Sequence, residues 1–405
     1  MWVEKSTDLP KHSIMRALFF GLLFLMGGST SFAQLREGFD PDEVKDLIAM
    51  CNSYTFQDLY GSDAAILPKK YTKTFTSPVI GMDNKFQVYT KDKLAVINFR
   101  GSTNQITSWI ENMYSAMIPA KGVILLDKVE HPYCFAKDTS AAVHAGYALA
   151  AVLLSPIILD QIKQLNQQGI YNILITGHSQ GGALANITRA YLENLPKGTL
   201  SSKNVYKTYA FANPMCGNKS FSDEYHLRYC ENNMSYSILN PADLVPAMPM
   251  HYQETGKILS VDRLASWVLG KESLDLRKIG VEMLLKTFEK SLKTYVNSSN
   301  RLIEKMISIS YGSIDMPDYI QDINYFQVGN IRLLEAFAYP KIQVDPTSLT
   351  EKELSKLKPA EDGNYYKTEP NFYQHKPYNY YVEILKTYFS RDYKNLNLKY
   401  LPENL

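Results

Sequence analysis

Two rhythms of apolar residues run along this chain. Between about 70 and 100 they alternate with the period of two that strands show, ending in Leu94-Ala95-Val96-Ile97-Asn98-Phe99-Arg100. That run is too uniformly apolar for a strand with one wet face and suits a strand buried on both. A second such run, Tyr171-Asn172-Ile173-Leu174-Ile175-Thr176, follows a long helical stretch over about 139–165 and leads into another helix from Gly181 to Leu195. Two more strands are expected at 205–212 and 235–240. Ahead of them, Pro41-Asp42-Glu43-Val44 opens an amphipathic helix through about Ser53, with Asp40 placed to cap it. Strands alternating with helices of this length predict an α/β fold: a mostly parallel central sheet with helices on both faces.

The rhythm breaks over about 256–320. Val281, Leu284, Leu285, Phe288, Leu292, Tyr295 and Val296 recur at helical spacing, as do Leu302, Ile303, Met306 and Ile307, before an extended segment at 325–329. This stretch is expected to be a helical cap inserted into the main domain. At the other end, Lys5, Lys11 and Arg16 precede the apolar run Ala17–Met26, and Ser31-Phe32-Ala33 offers a small-x-small cleavage site. Ten apolar residues fall well short of the roughly 20 that a membrane span needs. Residues 1–33 are therefore expected to be a signal peptide, and 34–405 the mature domain, periplasmic or secreted.

Composition changes the picture little. Apolar residues make up 45% of the 405, enough for a sizeable core, and 43 basic against 41 acidic side chains give no reason to invoke nucleic acid. Tyrosine is abundant at 29 residues, for which core and rim packing is the ordinary explanation. Export would permit disulfides among Cys51, Cys134, Cys216 and Cys230. Cys216 and Cys230 flank a short segment between two expected strands and are the preferred pair, with free buried thiols the alternative.

The strand at 171–176 runs straight into Gly177-His178-Ser179-Gln180-Gly181-Gly182, and a helix begins at once. A serine on so tight a strand-to-helix turn is forced out above the sheet in a strained conformation, with small residues two before and two after it. The helix N-terminus beneath it favours developing negative charge. Ser179 is the candidate nucleophile. Upstream, the strand ending at Phe99 opens a loop, Arg100-Gly101-Ser102-Thr103, of the kind that supplies donors to a tetrahedral oxyanion. Ser102 can offer an N–H and a hydroxyl, and Gln180 its backbone N–H.

Four stretches now carry a family resemblance. Phe99-Arg100-Gly101-Ser102, Val143-His144-Ala145-Gly146-Tyr147, Thr176 through Ala183, and Asn240-Pro241-Ala242-Asp243-Leu244-Val245-Pro246 resemble, in order, the landmarks of the class 3 lipases, the fungal-type triacylglycerol lipases and their bacterial relatives. The resemblance extends over about 40–252 and is looser beyond. It implies an α/β-hydrolase fold with Ser179 as nucleophile, Asp243 as triad acid and Ser102 as side-chain oxyanion donor. One departure is Gln180, where fungal members usually carry Leu; only its backbone N–H is needed there.

A serine nucleophile needs a histidine oriented by a carboxylate, and in this fold the order is Ser, acid, His. Asp243 follows an expected strand and precedes Pro246, whereas Asp223 and Asp262 sit in polar or helical contexts. Of the seven histidines, His12 lies in the leader, His178 adjoins the nucleophile, and His131, His144 and His226 precede Asp243. His144 reads as a structural hydrogen-bonding group. Between His251 and His375, the latter is preferred because it lies in a loop entering a helix near Asn379.

The expectation is an exported serine carboxylic-ester hydrolase, a lipase acting on acylglycerol esters through Ser179, Asp243 and His375, with Ser102 and Gln180 forming the oxyanion hole. Short-chain esterase, phospholipase A1 and a non-catalytic lipid- or partner-binding relative are the alternatives. No cofactor or metal is called for. The partner is a lipid or other ester substrate, with transient contact at a lipid interface an open question.

Overall fold

The computed structural model describes Met1 and residues 35–56, 66–103, 105–249, 304, 307–308, 312–322, 324–355, 357–369 and 372–396. The expected signal peptide at 1–33, Asp262, His251 and the expected cap over 256–303 lie outside the described residues.

In chain order, helix α1 (Pro41–Phe56) precedes strands β1 (Thr72–Thr76), β2 (Phe86–Lys91) and β3 (Leu94–Phe99). Helix α2 (Ile106–Met113) leads to β4 (Met117–Pro119), β5 (Lys121–Leu126), β6 (Val129–Cys134) and β7 (Ala142–His144). Then come α3 (Ala145–Gln167), β8 (Asn172–His178), α4 (Gln180–Glu193), β9 (Val205–Phe211), α5 (Lys219–Tyr225) and β10 (Ser235–Leu239). After the gap follow β11 (Ile314–Asp315), β12 (Asn330–Leu333) and α6 (Pro377–Tyr388).

One seven-stranded sheet dominates, in the order β1-β2-β3-β8-β9-β10-β12. The first two pairings are antiparallel, and every pairing from β3 to β12 is parallel. The central strands read as apolar runs because both their faces are covered. Ala95, Ile97, Phe99, Ile173 and Ile175 face one way, into a core shared with α3 and α4. Val96, Leu174, Tyr209 and Phe211 face the other, onto Val44, Leu47 and Ile48 of α1 and Tyr380 and Ile384 of α6. Asp40 caps α1 as its position suggested: its Oδ1 accepts from the Asp42 and Glu43 N–H groups at 2.9 and 3.3 Å. The whole is an α/β-hydrolase-like architecture.

Three expectations need correction. The long helix begins at Ala145 rather than near 139, because Ala142–His144 pair as β7 with β4. Of the described residues in the expected cap, Glu304, Ile307 and Ser308 are helical, but the last stretch is not, since β11 pairs antiparallel with β5. None of the four cysteines forms a disulfide. The Cys216 thiol points instead at the Ala183 and Pro214 carbonyls, 3.7 and 3.6 Å away. Burial pushes the Cys230 thiol up to about 11 and that of Cys51 up to about 12, so both stay protonated and unreactive at neutral pH.

Candidate active site

The site lies where the parallel strands end. β8 delivers the chain to Ser179, whose φ of 60° and ψ of −130° fall in a region that non-glycine residues rarely occupy. Its N–H donates to the Phe211 carbonyl at 2.9 Å, and its own carbonyl accepts from Gly182 N at 2.9 Å, so the strained residue is held on both sides. The flanking glycines are there because nothing larger fits. A Cβ on Gly177 would lie 2.2 Å from the Gly181 carbonyl oxygen, and one on Gly181 would lie 2.4 Å from the Phe99 oxygen. The same closeness seats the N-terminus of α4 against the end of β3. The N–H groups of the first turn of α4 have no partner within the helix, and they include that of Gln180.

Across this junction lies the Ser102 loop. Gly101 packs against Ser179, its Cβ position 3.5 Å from the serine Cβ. Ser102 Oγ accepts from Asn112 Nδ2 at 2.8 Å, and Asn112 Oδ1 accepts from the Tyr147 hydroxyl at 3.0 Å. His144 completes this cluster. Its ring stacks on Tyr147 with centroids 3.9 Å apart, Nδ1 accepts from Tyr147 N at 3.3 Å, and Nε2 faces the Asn112 carbonyl at 3.2 Å. Burial pushes its pKa down to about 3, so it is a neutral ring that supports Asn112.

The acid and the second histidine come from opposite ends of the remaining chain. Asp243 follows β10, and His375 precedes α6. His375 Nδ1 lies 2.7 Å from Asp243 Oδ2. The same oxygen accepts from the Tyr380 hydroxyl at 2.8 Å, and Oδ1 accepts from Val245 N at 3.0 Å. Asp243 is thus a buried side chain whose two oxygens take three hydrogen bonds. The His375 ring packs on that of His178, the residue before Ser179, with centroids 4.6 Å apart. Among the described residues Ser179 and His375 share no hydrogen bond, and the His375 bond is to Asp243. His178 itself is held neutral, well below its ordinary range, first by burial and then by the charge His375 can carry. Asp223, the other described candidate acid, is an exposed partner of Lys219 at 2.7 Å.

Several residues of this neighbourhood were not anticipated. Phe372 lies between Trp109 and His375 with its ring tilted to both, at centroid distances of 6.0 and 5.8 Å. Two buried acids flank the site. Glu111 of α2 accepts from Asn84 Nδ2 and Gln180 Nε2, both at 2.5 Å, and burial pushes its carboxyl up to about 8. Glu383 of α6 accepts from Asn240 Nδ2 at 2.8 Å, and burial, then the Asp243 charge, push it up to about 9. Glu111 had one signal in sequence, since no basic residue stands three or four positions from it along the helix. Among the described residues, no group of three His, Cys, Asp or Glu side chains converges as a metal cage would.

Residues 96–253 match the family model described as "Lipase (class 3)". Similar solved structures include a Rhizomucor miehei lipase propeptide complex, 19% identical with a TM-score of 0.40, covering 53% of this chain and 64% of that one. Lipase II from Rhizopus niveus is 20% identical with a TM-score of 0.37, covering 52% and 74%. A lipase from Rhizopus microsporus var. chinensis is 19% identical with a TM-score of 0.37, covering 55% and 75%. The chain therefore matches just under two thirds of the Rhizomucor miehei chain. Residues 96–253, which carry the strained serine on its glycine-flanked turn, are thus similar to the class 3 lipase family.

Proposed function

We propose that the protein is a lipase that cleaves acylglycerol esters through an acyl-enzyme on Ser179. His375 takes the proton from the serine hydroxyl as Oγ attacks the ester carbonyl, and Asp243 holds the imidazole and offsets the charge it gains. The oxyanion is met by the Gln180 N–H and by Ser102. His375 then protonates the leaving alcohol, and water repeats the sequence to release the fatty acid. The observation that carries this reading is the 2.7 Å bond from His375 Nδ1 to the triply bonded Asp243, with the imidazole packed on the residue next to Ser179.

The half-buried Trp109 and Phe372 beside His375, and Leu244, 41% exposed next to Asp243, favour an apolar acyl group. Export rests on the leader-like N-terminus, and the N-terminal sequence of protein recovered from the cell exterior or periplasm tests it. Labelling by a fluorophosphonate probe tests the chemistry: wild type should label, and Ser179→Ala and His375→Ala should not. Hydrolysis of p-nitrophenyl esters from acetate to palmitate, with phospholipid release alongside, tests the substrate. Rates that fall steadily with chain length would replace lipase by short-chain esterase, and release of fatty acid from phospholipid alone would replace it by phospholipase A1.

A further inference from the structure

The side chain of Gln180 has no part in the chemistry above, where only its N–H is used, yet it is buried and fully engaged. Gln180 Oε1 accepts from Ser108 Oγ at 2.9 Å, and Nε2 donates to Glu111 Oε1 at 2.5 Å. Ser108 and Glu111 both belong to α2, one turn apart on the same face. Ser108 Oγ in turn accepts from the backbone N–H of Thr103, the residue after Ser102, at 3.2 Å. The other oxygen of Glu111 accepts from Asn84 Nδ2 at 2.5 Å. Asn84 sits in the turn whose preceding residue, Asp83, pairs with Arg100 at 3.0 Å and accepts from the Thr103 hydroxyl. Ser108, Glu111, Gln180 and Asn84 are all at most 3% exposed.

The two sides of the oxyanion hole are 78 positions apart in sequence, yet one amide joins them. An amide can satisfy a hydroxyl donor and a carboxylate acceptor together in only one orientation, so this contact fixes both the side chain and what it touches. We propose that the Gln180 side chain is a positioning residue for the oxyanion hole. Through Ser108 and Glu111 it holds the Ser102–Thr103 loop at a set distance from the Gln180 N–H before substrate arrives. A leucine at this position would fill the volume but tie the loop to nothing. It would also leave Glu111 short of a donor. The proposal rests on the reading of Ser102 and Gln180 as the oxyanion donors.

Preorganised donors act on the transition state rather than on the bound ester, so their misplacement lowers kcat and spares KM. The experiment compares wild type, Gln180→Leu, Ser108→Ala, the double variant and Ser179→Ala on a soluble p-nitrophenyl ester, with urea unfolding of each. We expect kcat to fall roughly 10- to 100-fold in Gln180→Leu and about 3- to 10-fold in Ser108→Ala, with KM within about twofold. Because both act through one contact, the double variant should be no slower than Gln180→Leu. Ser108→Ala removes only one oxygen, and it keeps the test open if Gln180→Leu folds poorly. Wild-type kcat in a folded Gln180→Leu or Ser108→Ala protein, or losses that multiply in the double variant, would overturn the clamp while Ser179→Ala stays inactive. An active Ser179→Ala protein would instead overturn the serine-hydrolase reading on which the clamp rests.

Discussion

Glu383 is the residue whose replacement should stabilise the protein, and the effect should grow with pH. The carboxyl is 0% exposed, takes a single hydrogen bond from Asn240, and its Oε2 meets no partner among the described residues. Burial, and then the Asp243 carboxylate, push its pKa from 4.5 up to about 9, against the pull of Lys386. In the unfolded chain Glu383 ionises near 4.5, but in the fold it keeps its proton to about 9. Stability that is fully present below the unfolded value is therefore lost as pH rises towards the folded one. The slope is about 1.4 kcal/mol per pH unit, so between pH 5 and pH 8 the wild type should lose on the order of 4 kcal/mol through this residue. Glu383→Gln keeps the shape and the acceptor for Asn240 but cannot ionise. Urea unfolding of both proteins at pH 5 and pH 8 isolates the term, because every other titrating group, Glu111 included, is common to the two. The variant should lie within about 1 kcal/mol of wild type at pH 5 and pull ahead by a few kcal/mol at pH 8. An equal gap at the two pH values would refute the argument and mean that Glu383 is already charged in the fold.

Three further perturbations probe the site from other directions. Ser102→Ala removes the hydroxyl of the proposed oxyanion hole and should lower kcat about 100-fold with KM little changed, read on a soluble p-nitrophenyl ester. Tyr380→Phe takes one of three donors from Asp243 and should slow turnover by about 3- to 10-fold while His375 keeps its own bond; an unchanged kcat would show that two donors suffice. Gly181→Ala forces a Cβ to 2.4 Å from the Phe99 oxygen and should cost more than about 4 kcal/mol, seen as loss of soluble protein or a collapsed urea midpoint.

What could be read along the chain was whatever the chain writes locally. The strand β8, the turn at Ser179 and the helix α4 occupy consecutive residues, and the backbone demands at Gly177 and Gly181 act within that span. The apolar runs at 94–99 and 172–176 announced burial on both faces because a doubly covered strand has no wet side to keep polar. His375 and Asp243 meet across 132 positions, and sequence reached that pair through chain order and the scarcity of histidines rather than through any pattern joining them. The supporting polar groups were illegible for a related reason. Ser108 and Glu111 meet Gln180, and Asn84 meets Glu111, only once a turn, a loop and a helix close around the end of β3. On α6, Glu383 has Lys386 three residues on and reads as one half of a solvated pair. It becomes a buried acid only when the fold brings it to Asn240 at the end of β10. The helix start at Ala145 rather than 139 has the same origin, since Ala142–His144 become a strand only when β4 lies alongside.

Asp243 and Glu383 differ in how well their oxygens are hydrogen-bonded. Burial, and then the Asp243 side chain, push Glu383 up to about 9, so it holds its proton at neutral pH. Asp243 takes bonds from an imidazole, a phenol and a backbone N–H, whereas Glu383 takes one from an amide. The better-bonded carboxyl is therefore the one that His375 meets. Tyr380 serves this arrangement twice, since its hydroxyl donates to Asp243 and accepts from Asn240 N at 3.0 Å, and Asn240 is the residue that donates to Glu383. One helix, α6, thus carries the phenol that donates to Asp243 and, three residues later, the buried acid that keeps its proton. His375 enters the site two residues before that helix begins. The C-terminal helix is in this sense part of the site rather than its cover.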